Sequence, residues 1–196
     1  MKYLILLLPI FLFGQWNNTA FIKGTQNETF SQDAATNTLI TTSYPHHEVH
    51  SGSHYFIAGY TTLGSGDSTY FALTTPNTTK WTHMIFEIQS SGILTSYVYE
   101  TATVTGGTAV VPNNNNRNST NTSGNTVVSM PSISVYGTCI DSSKVGAGGG
   151  FKFGGNISRD NENILKQNTT YLYVFVSGAA SNIVAFKAEW YEHTNK

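Results

Sequence analysis

The sequence predicts an all-β fold: an antiparallel β-sandwich, jelly-roll-like, with at most one short helix. Two observations carry this. From about residue 36 onward the dominant hydrophobic period is two, in runs rich in Thr, Val, Ile, Tyr and Phe, which suit a pleated, half-buried surface. Turn chemistry cuts those runs at short intervals, and no alternation of strand and helix patterns appears, so doubly wound nucleotide-binding folds are excluded. About eight to ten strands at this spacing fit a sandwich, and a jelly roll uses eight.

The strand candidates in chain order are Thr36 to Thr42, His54 to Tyr60, Thr69 to Thr74, Trp81 to Gln89, Ile93 to Thr101, Thr108 to Val111, Thr126 to Met130, Ser132 to Tyr136, Tyr171 to Ser177 and Ile183 to Tyr191. Gly64-Ser65-Gly66-Asp67, Pro76-Asn77, Gly106-Gly107 and Ser177-Gly178 through Asn182 separate them as turns. In Trp81 to Gln89, strand alternation puts Met84, Phe86 and Ile88 toward a core and His83, Ile85, Glu87 and Gln89 on the other face. Ser90-Ser91-Gly92 then joins this run to the next as a β-hairpin. Arg159 to Gln167 is the one segment that suggests a helix, with Asp160 able to cap it.

Two polar loops interrupt the pattern. Pro112 to Asn125 has no apolar residue after its proline, so it is expected to be solvated or to touch a partner. Val145 to Gly155 is rich in glycine, with Phe151 and Phe153 inside it. Both are candidate contact surfaces or plain connectors.

The chain has 196 residues and a net charge of −1, enough for one domain with an appendage. Residues 1–15 form an apolar segment, 16–35 a polar linker or arm, and 36–196 a single sandwich domain. Met1 to Gln15 places one lysine ahead of a Leu- and Phe-rich run, the dimensions of a signal-peptide core and too short to span a bilayer. Two readings stay open: a cleaved export signal ending near Gly14, and a retained arm anchored in a partner or a lipid surface. Membrane contact is expected only through residues 1–14, and only if they are retained.

Charged residues make up only 11% of the chain, against roughly 25% on average, while Ser, Thr and Asn fill about a third of it. The surface is therefore polar but uncharged. Ten basic and eleven acidic side chains without a basic cluster give nothing to neutralise a run of phosphates, so nucleic acid is not an expected partner. Cys139 is the single cysteine, which excludes an internal disulfide; with no basic neighbour in sequence, it is expected to be a small core residue.

His46-His47-Glu48-Val49-His50-Ser51-Gly52-Ser53-His54 holds four of the six histidines. It lacks the helical zinc motif of two histidines flanking a Glu, because position 51 is Ser. In an extended chain His46, Glu48 and His50 share one face, which allows a surface metal site. The same histidines suit a subunit contact modulated by protonation, or a loop organised by hydrogen bonds. No pair of carboxylates is singled out for hydrolysis, Gly64 to Ser68 lacks nucleophile-elbow spacing, and the glycine-rich run lacks a Gly-Lys-Ser/Thr ending. No catalytic, cofactor-binding or metal residue is therefore assigned, and no cofactor is expected. Sequons at Asn17, Asn77 and Asn168 arise by chance in such a composition. Tyr97 and Tyr99, Tyr171 and Tyr173, and Trp190 and Tyr191 either form an exposed row that stacks on sugar rings or pack between sheets and subunits.

The runs His46 to Tyr55, Leu63 to Asp67, Thr74 to Trp81, Asn113 to Asn118, Glu162 to Thr169 and Glu189 to His193 together resemble short β-rich structural proteins of bacteriophage and prophage virions, of the head-decoration, cement or head-fibre type. The resemblance covers about residues 45 to 193. It implies a non-enzymatic virion protein that binds capsid proteins and itself, as a homotrimer, with a loop face able to meet a host surface glycan. The apolar N-terminus departs from it, since a virion protein made in the host cytoplasm has no need of export. The competing expectation is an exported, secreted or surface-bound bacterial β-sandwich that binds carbohydrate or acts as an adhesin.

Overall fold

A computed structural model describes residues 43–146, 152–156 and 158–194. The apolar segment, the polar linker, the strand expected at Thr36 to Thr42 and the middle of the glycine-rich run lie outside these residues. In chain order the elements are α1 (Tyr44–Ser51), β1 (His54–Leu63), β2 (Ser68–Thr74), β3 (Lys80–Ser90), β4 (Leu94–Glu100), β5 (Thr103–Thr105), β6 (Thr108–Val110), β7 (Asn113–Asn114), β8 (Thr126–Ser129), β9 (Ser132–Val135), β10 (Thr138–Val145), β11 (Lys152–Asn156), a 3-10 turn (Arg159–Asn161), β12 (Asn163–Leu165), β13 (Thr170–Ser177) and β14 (Asn182–Thr194). The fold is all-β, an antiparallel sandwich with one short α-helix among the described residues.

The first sheet runs β11-β3-β14-β1-β7, with β12 also paired to β3; the second runs β10-β4-β13-β2-β8-β6; β5 and β9 form a separate two-stranded sheet. Early strands pair with late ones throughout: β1 with β14, β2 with β13, β3 with β11 and β12, and β4 with β10, all antiparallel.

The inward faces build one core. Met84, Phe86 and Ile88 are buried as their alternation requires, beside Trp190, Ala188 and Val184 of β14 and Phe71, Tyr173 and Phe175 from the second sheet. Phe71 stacks on Tyr173 at 4.7 Å and on Phe186 at 5.1 Å, and the Tyr173 hydroxyl donates across the sandwich to Met84 Sδ at 3.0 Å. Each of these large side chains contributes roughly 1.5–3 kcal/mol by leaving water. The outward face of the second sheet is also apolar: Ala72, Leu172 and Val174 are buried with Tyr97, Tyr99, Val104 and Ile133 packed around them, so β5 and β9 cover part of that face.

Four expectations are corrected. The runs at Trp81 to Gln89 and Ile93 to Thr101 do not form a hairpin: β3 pairs with β14, while β4 pairs with β13 and β10. The turn between them changes sheet. Asn182 explains how, because its Oδ1 accepts from Gly92 N at 2.7 Å and Ser90 Oγ at 2.8 Å while its Nδ2 donates to Ile93 O at 2.9 Å and Ser177 Oγ at 3.1 Å, tying this corner to the β13–β14 corner.

The expected helix at Arg159 to Gln167 is a single 3-10 turn followed by β12, since Ile164 pairs opposite His83 and Leu165 is buried against the core. Cys139 is exposed, not a core residue, because β10 is an edge strand whose register shifts between Cys139 and Asp141. The glycine-rich run is not wholly a loop, for Val145 ends β10 and Lys152–Asn156 is β11.

Candidate functional site

The histidine run folds as α1. Ser43 stands at its N-cap, Pro45 sits in the first turn, and Gly52 adopts φ 74°, where its N–H bonds back into the last turn. Helical spacing replaces the extended spacing assumed above. Glu48 turns inward, buried, and accepts from Ser51 Oγ at 3.2 Å, whereas His46 and His50 point outward with their Nε2 atoms 3.0 Å apart. A site built on His46, Glu48 and His50 together is thereby ruled out, because the carboxylate and the imidazoles lie on different sides of the helix.

His54 lies beyond the helix, at the start of β1, and belongs to a different cluster. Strand register puts His54 opposite Tyr191 and Tyr191 opposite His83, one row across three strands on the outward face of the first sheet. The row is roofed by the 3-10 turn. Glu162 accepts from His83 Nδ1 at 2.6 Å, from the Tyr191 hydroxyl at 2.5 Å and from Arg159 Nη1 at 3.3 Å. Arg159 also lies 5.2 Å above the Tyr191 ring and reaches His54 Nε2 with Nη2 at 2.8 Å.

Donor counting assigns the protons. Arginine can only donate, so His54 Nε2 accepts and its Nδ1 carries the hydrogen toward the Asn115 amide at 2.6 Å, whose oxygen must face it. Burial, reinforced by Arg159, pushes the His54 pKa down to about 4, so the ring is neutral near pH 7. Burial also lowers the pKa of His83, against the pull of Glu162. His193 Nε2 lies 2.7 Å from His83 Nε2, and His193 Nδ1 lies 3.1 Å from the Tyr44 hydroxyl and 2.9 Å from the Thr194 carbonyl oxygen.

Every polar atom of this network that points inward is spoken for, which makes it a device for holding α1, the 3-10 turn and β14 together. The adjoining depression, lined by Ile85, Phe86, Glu87, Lys187 and Glu189, has a volume of about 140 Å³. Ligand pockets usually take about 300–1,000 Å³. The larger cavity, about 360 Å³, opens between the sheets over Ile57, Phe71, Val110, Met130 and Phe186, and no titratable group lines it apart from Tyr60. The histidine row and the larger cavity therefore sit in different places. Among the described residues no three His, Cys, Asp or Glu side chains converge on one point.

The other predicted contact residues divide by burial. Tyr171, Tyr173, Trp190 and Tyr191 are buried, so none of them offers a free ring face to a sugar. Tyr97 and Tyr99 are half-buried and stacked at 6.0 Å, with Tyr136 edge-on to Tyr99 at 5.2 Å; Tyr136 and Val135 are exposed beside edge strand β10, and Ile140 is exposed within it. The Asn-rich loop folds onto its own domain. Asn114 and Asn116 donate to the carbonyls of Gly52 and His50, and Ser123 Oγ and Gly124 N donate to the buried Glu192. The Ser43-Tyr44-Pro45 start and Gly52 stop were the sequence signals that mark α1 and pair His46 with His50.

No protein-family model, curated protein or solved structure matches the chain.

Proposed function

We propose that the protein is a non-enzymatic structural protein of a virus particle, a decoration, cement or head-fibre component that attaches to a capsid and associates with copies of itself. The observation that carries this is the set of exposed apolar side chains Val135, Tyr136 and Ile140 on and beside edge strand β10, with Tyr136 against the half-buried Tyr99 ring, on a surface poor in charge. Apolar groups of this kind next to an open strand edge suit a closed, symmetric contact between copies. The distance of the larger cavity from the histidine row supports a structural role over turnover. The virion assignment itself draws on the resemblance of the sequence to phage head proteins, which also implies a trimer.

The sandwich is read as a jelly roll. Its first four long strands pair with late strands in the nested order β1–β14, β2–β13, β3–β11 and β4–β10, which places β1, β14, β3 and β11 in one layer and β2, β13, β4 and β10 in the other.

Two measurements test the reading. Light scattering on the purified chain should give a closed oligomer that Tyr136→Glu or Ile140→Glu dissociates, and mass spectrometry of purified particles should find the protein. A monomer at the highest soluble concentration, together with particles that lack it, would overturn the proposal. A glycan array with a saturable signal lost in Tyr97→Ala would instead favour the exported carbohydrate-binding protein, for which the half-buried Tyr97 and Tyr99 rings are the specific observation.

A further inference from the structure

The side chains of His46 and His50 are four residues apart on one face of α1, so they stack one turn above the other. Both are exposed. Their rings meet edge to face at 4.6 Å between centroids, and the two Nε2 atoms are 3.0 Å apart. Two imidazole nitrogens bound to one cation at about 2.0–2.1 Å, with an angle near 90–110° between them, lie about 2.9–3.4 Å from each other. The observed separation falls inside that interval without any movement of the backbone.

We propose that His46 and His50 form a two-histidine site for a divalent transition-metal cation, zinc, nickel or copper, on the open face of α1. Water or a group from another molecule completes the coordination shell. The reading goes beyond the structural role proposed above and does not depend on it.

Three features of the helix favour the site. The helix is pinned at its C-terminal end, where Gly52 N–H bonds to Val49 O at 3.1 Å and Asn116 Nδ2 donates to His50 O at 3.1 Å, so the ligand spacing is pre-set. Glu48 is turned away and buried, leaving the two rings without a carboxylate to compete for their outer nitrogens. His47 points elsewhere, with Nδ1 3.4 Å from Glu48 Oε1, and makes no third ligand. In the metal-free protein one Nε2–H donates to the other Nε2. When a cation binds, that hydrogen leaves for solvent and Nδ1 of the same ring takes one up, so two neutral imidazoles present two lone pairs with no net change in protons.

The test is calorimetry of the full chain with zinc, nickel and copper chlorides, paired with copper electron paramagnetic resonance. One cation per chain is expected, with nitrogen hyperfine structure from two imidazoles and copper bound most tightly. His46→Ala and His50→Gln should each weaken binding about tenfold or more, whereas His47→Ala should leave it within about twofold. Glutamine keeps helix propensity, and unchanged circular dichroism separates ligand loss from unfolding. Binding in the His46→Ala/His50→Gln double variant equal to that of the unmodified chain would sink the proposal, as would an equal loss in His47→Ala.

Discussion

The indole Nε1–H of Trp190 donates to Oε1 of Glu192 at 3.0 Å, two residues along the same strand and on the same inward face. A carboxylate at the end of a hydrophobic core is expensive unless its lone pairs are filled. Here Ser123 Oγ at 2.5 Å and Gly124 N at 2.9 Å fill the rest, so the acid that closes the core also clamps the far end of the Asn-rich loop.

Replacing Glu192 by Ala should therefore do two things at once. It removes the acceptor for three donors and should lower stability by about 2–4 kcal/mol, read from chemical denaturation. It should also release the Thr122 to Asn125 backbone, seen as faster amide exchange there and not in β13. Unchanged exchange at Gly124 would contradict the clamp.

His54 makes stability depend on pH in a stated direction. Its pKa falls from 6.5 to about 4 on folding, under burial and the charge of Arg159, with Lys187 acting the same way and Glu189 and Glu48 opposing. Between those values the unfolded chain holds a proton that the folded chain lacks. The contribution is thus complete above about pH 6.5 and is lost as the pH drops toward 4, amounting to roughly 3 kcal/mol. His83, shifted the same way by burial, adds to that slope. Melting temperature from pH 7 to pH 4 checks this, and His54→Gln should flatten the slope. A slope unaltered in that variant would assign the acid sensitivity elsewhere.

Two glycines with similar backbone angles should respond differently to alanine. Gly137 has φ 85° and Gly66 has φ 86°, so both substitutions carry the left-handed penalty of about 1 kcal/mol. At Gly137 a Cβ would also stand 2.2 Å from the Glu100 carbonyl oxygen, while at Gly66 nothing lies within 4 Å. Gly137→Ala should cost at least about 2 kcal/mol more than Gly66→Ala, because backbone must shift at the junction with β10. Equal midpoints in urea would show that this junction yields easily.

Alternation along β3 was legible in the sequence because it reflects local chain geometry: side chains at every second residue share a face, and Met84, Phe86 and Ile88 were assigned to the core on that ground alone. The corner at Gly92 was not legible. A short glycine turn is equally suited to a hairpin and to a crossing between sheets, and only Asn182, 90 residues away, selects the crossing. Cys139 was misplaced for a related reason, since its exposure follows from the position of β10 at a sheet edge and from the bulge beside it.

The sequence by itself determined that this chain forms strands, which face of β3 turns inward, and that its surface carries little charge; those properties come from residue types and near neighbours along the chain. Tertiary structure alone decided which strands share a sheet, that His83, Tyr191 and His54 form one row under Arg159 and Glu162, and that the larger cavity lies away from them. Such pairings join residues up to 149 positions apart, as Tyr44 and His193 are, and spacing along a chain holds no record of which distant partner removes a polar group from water.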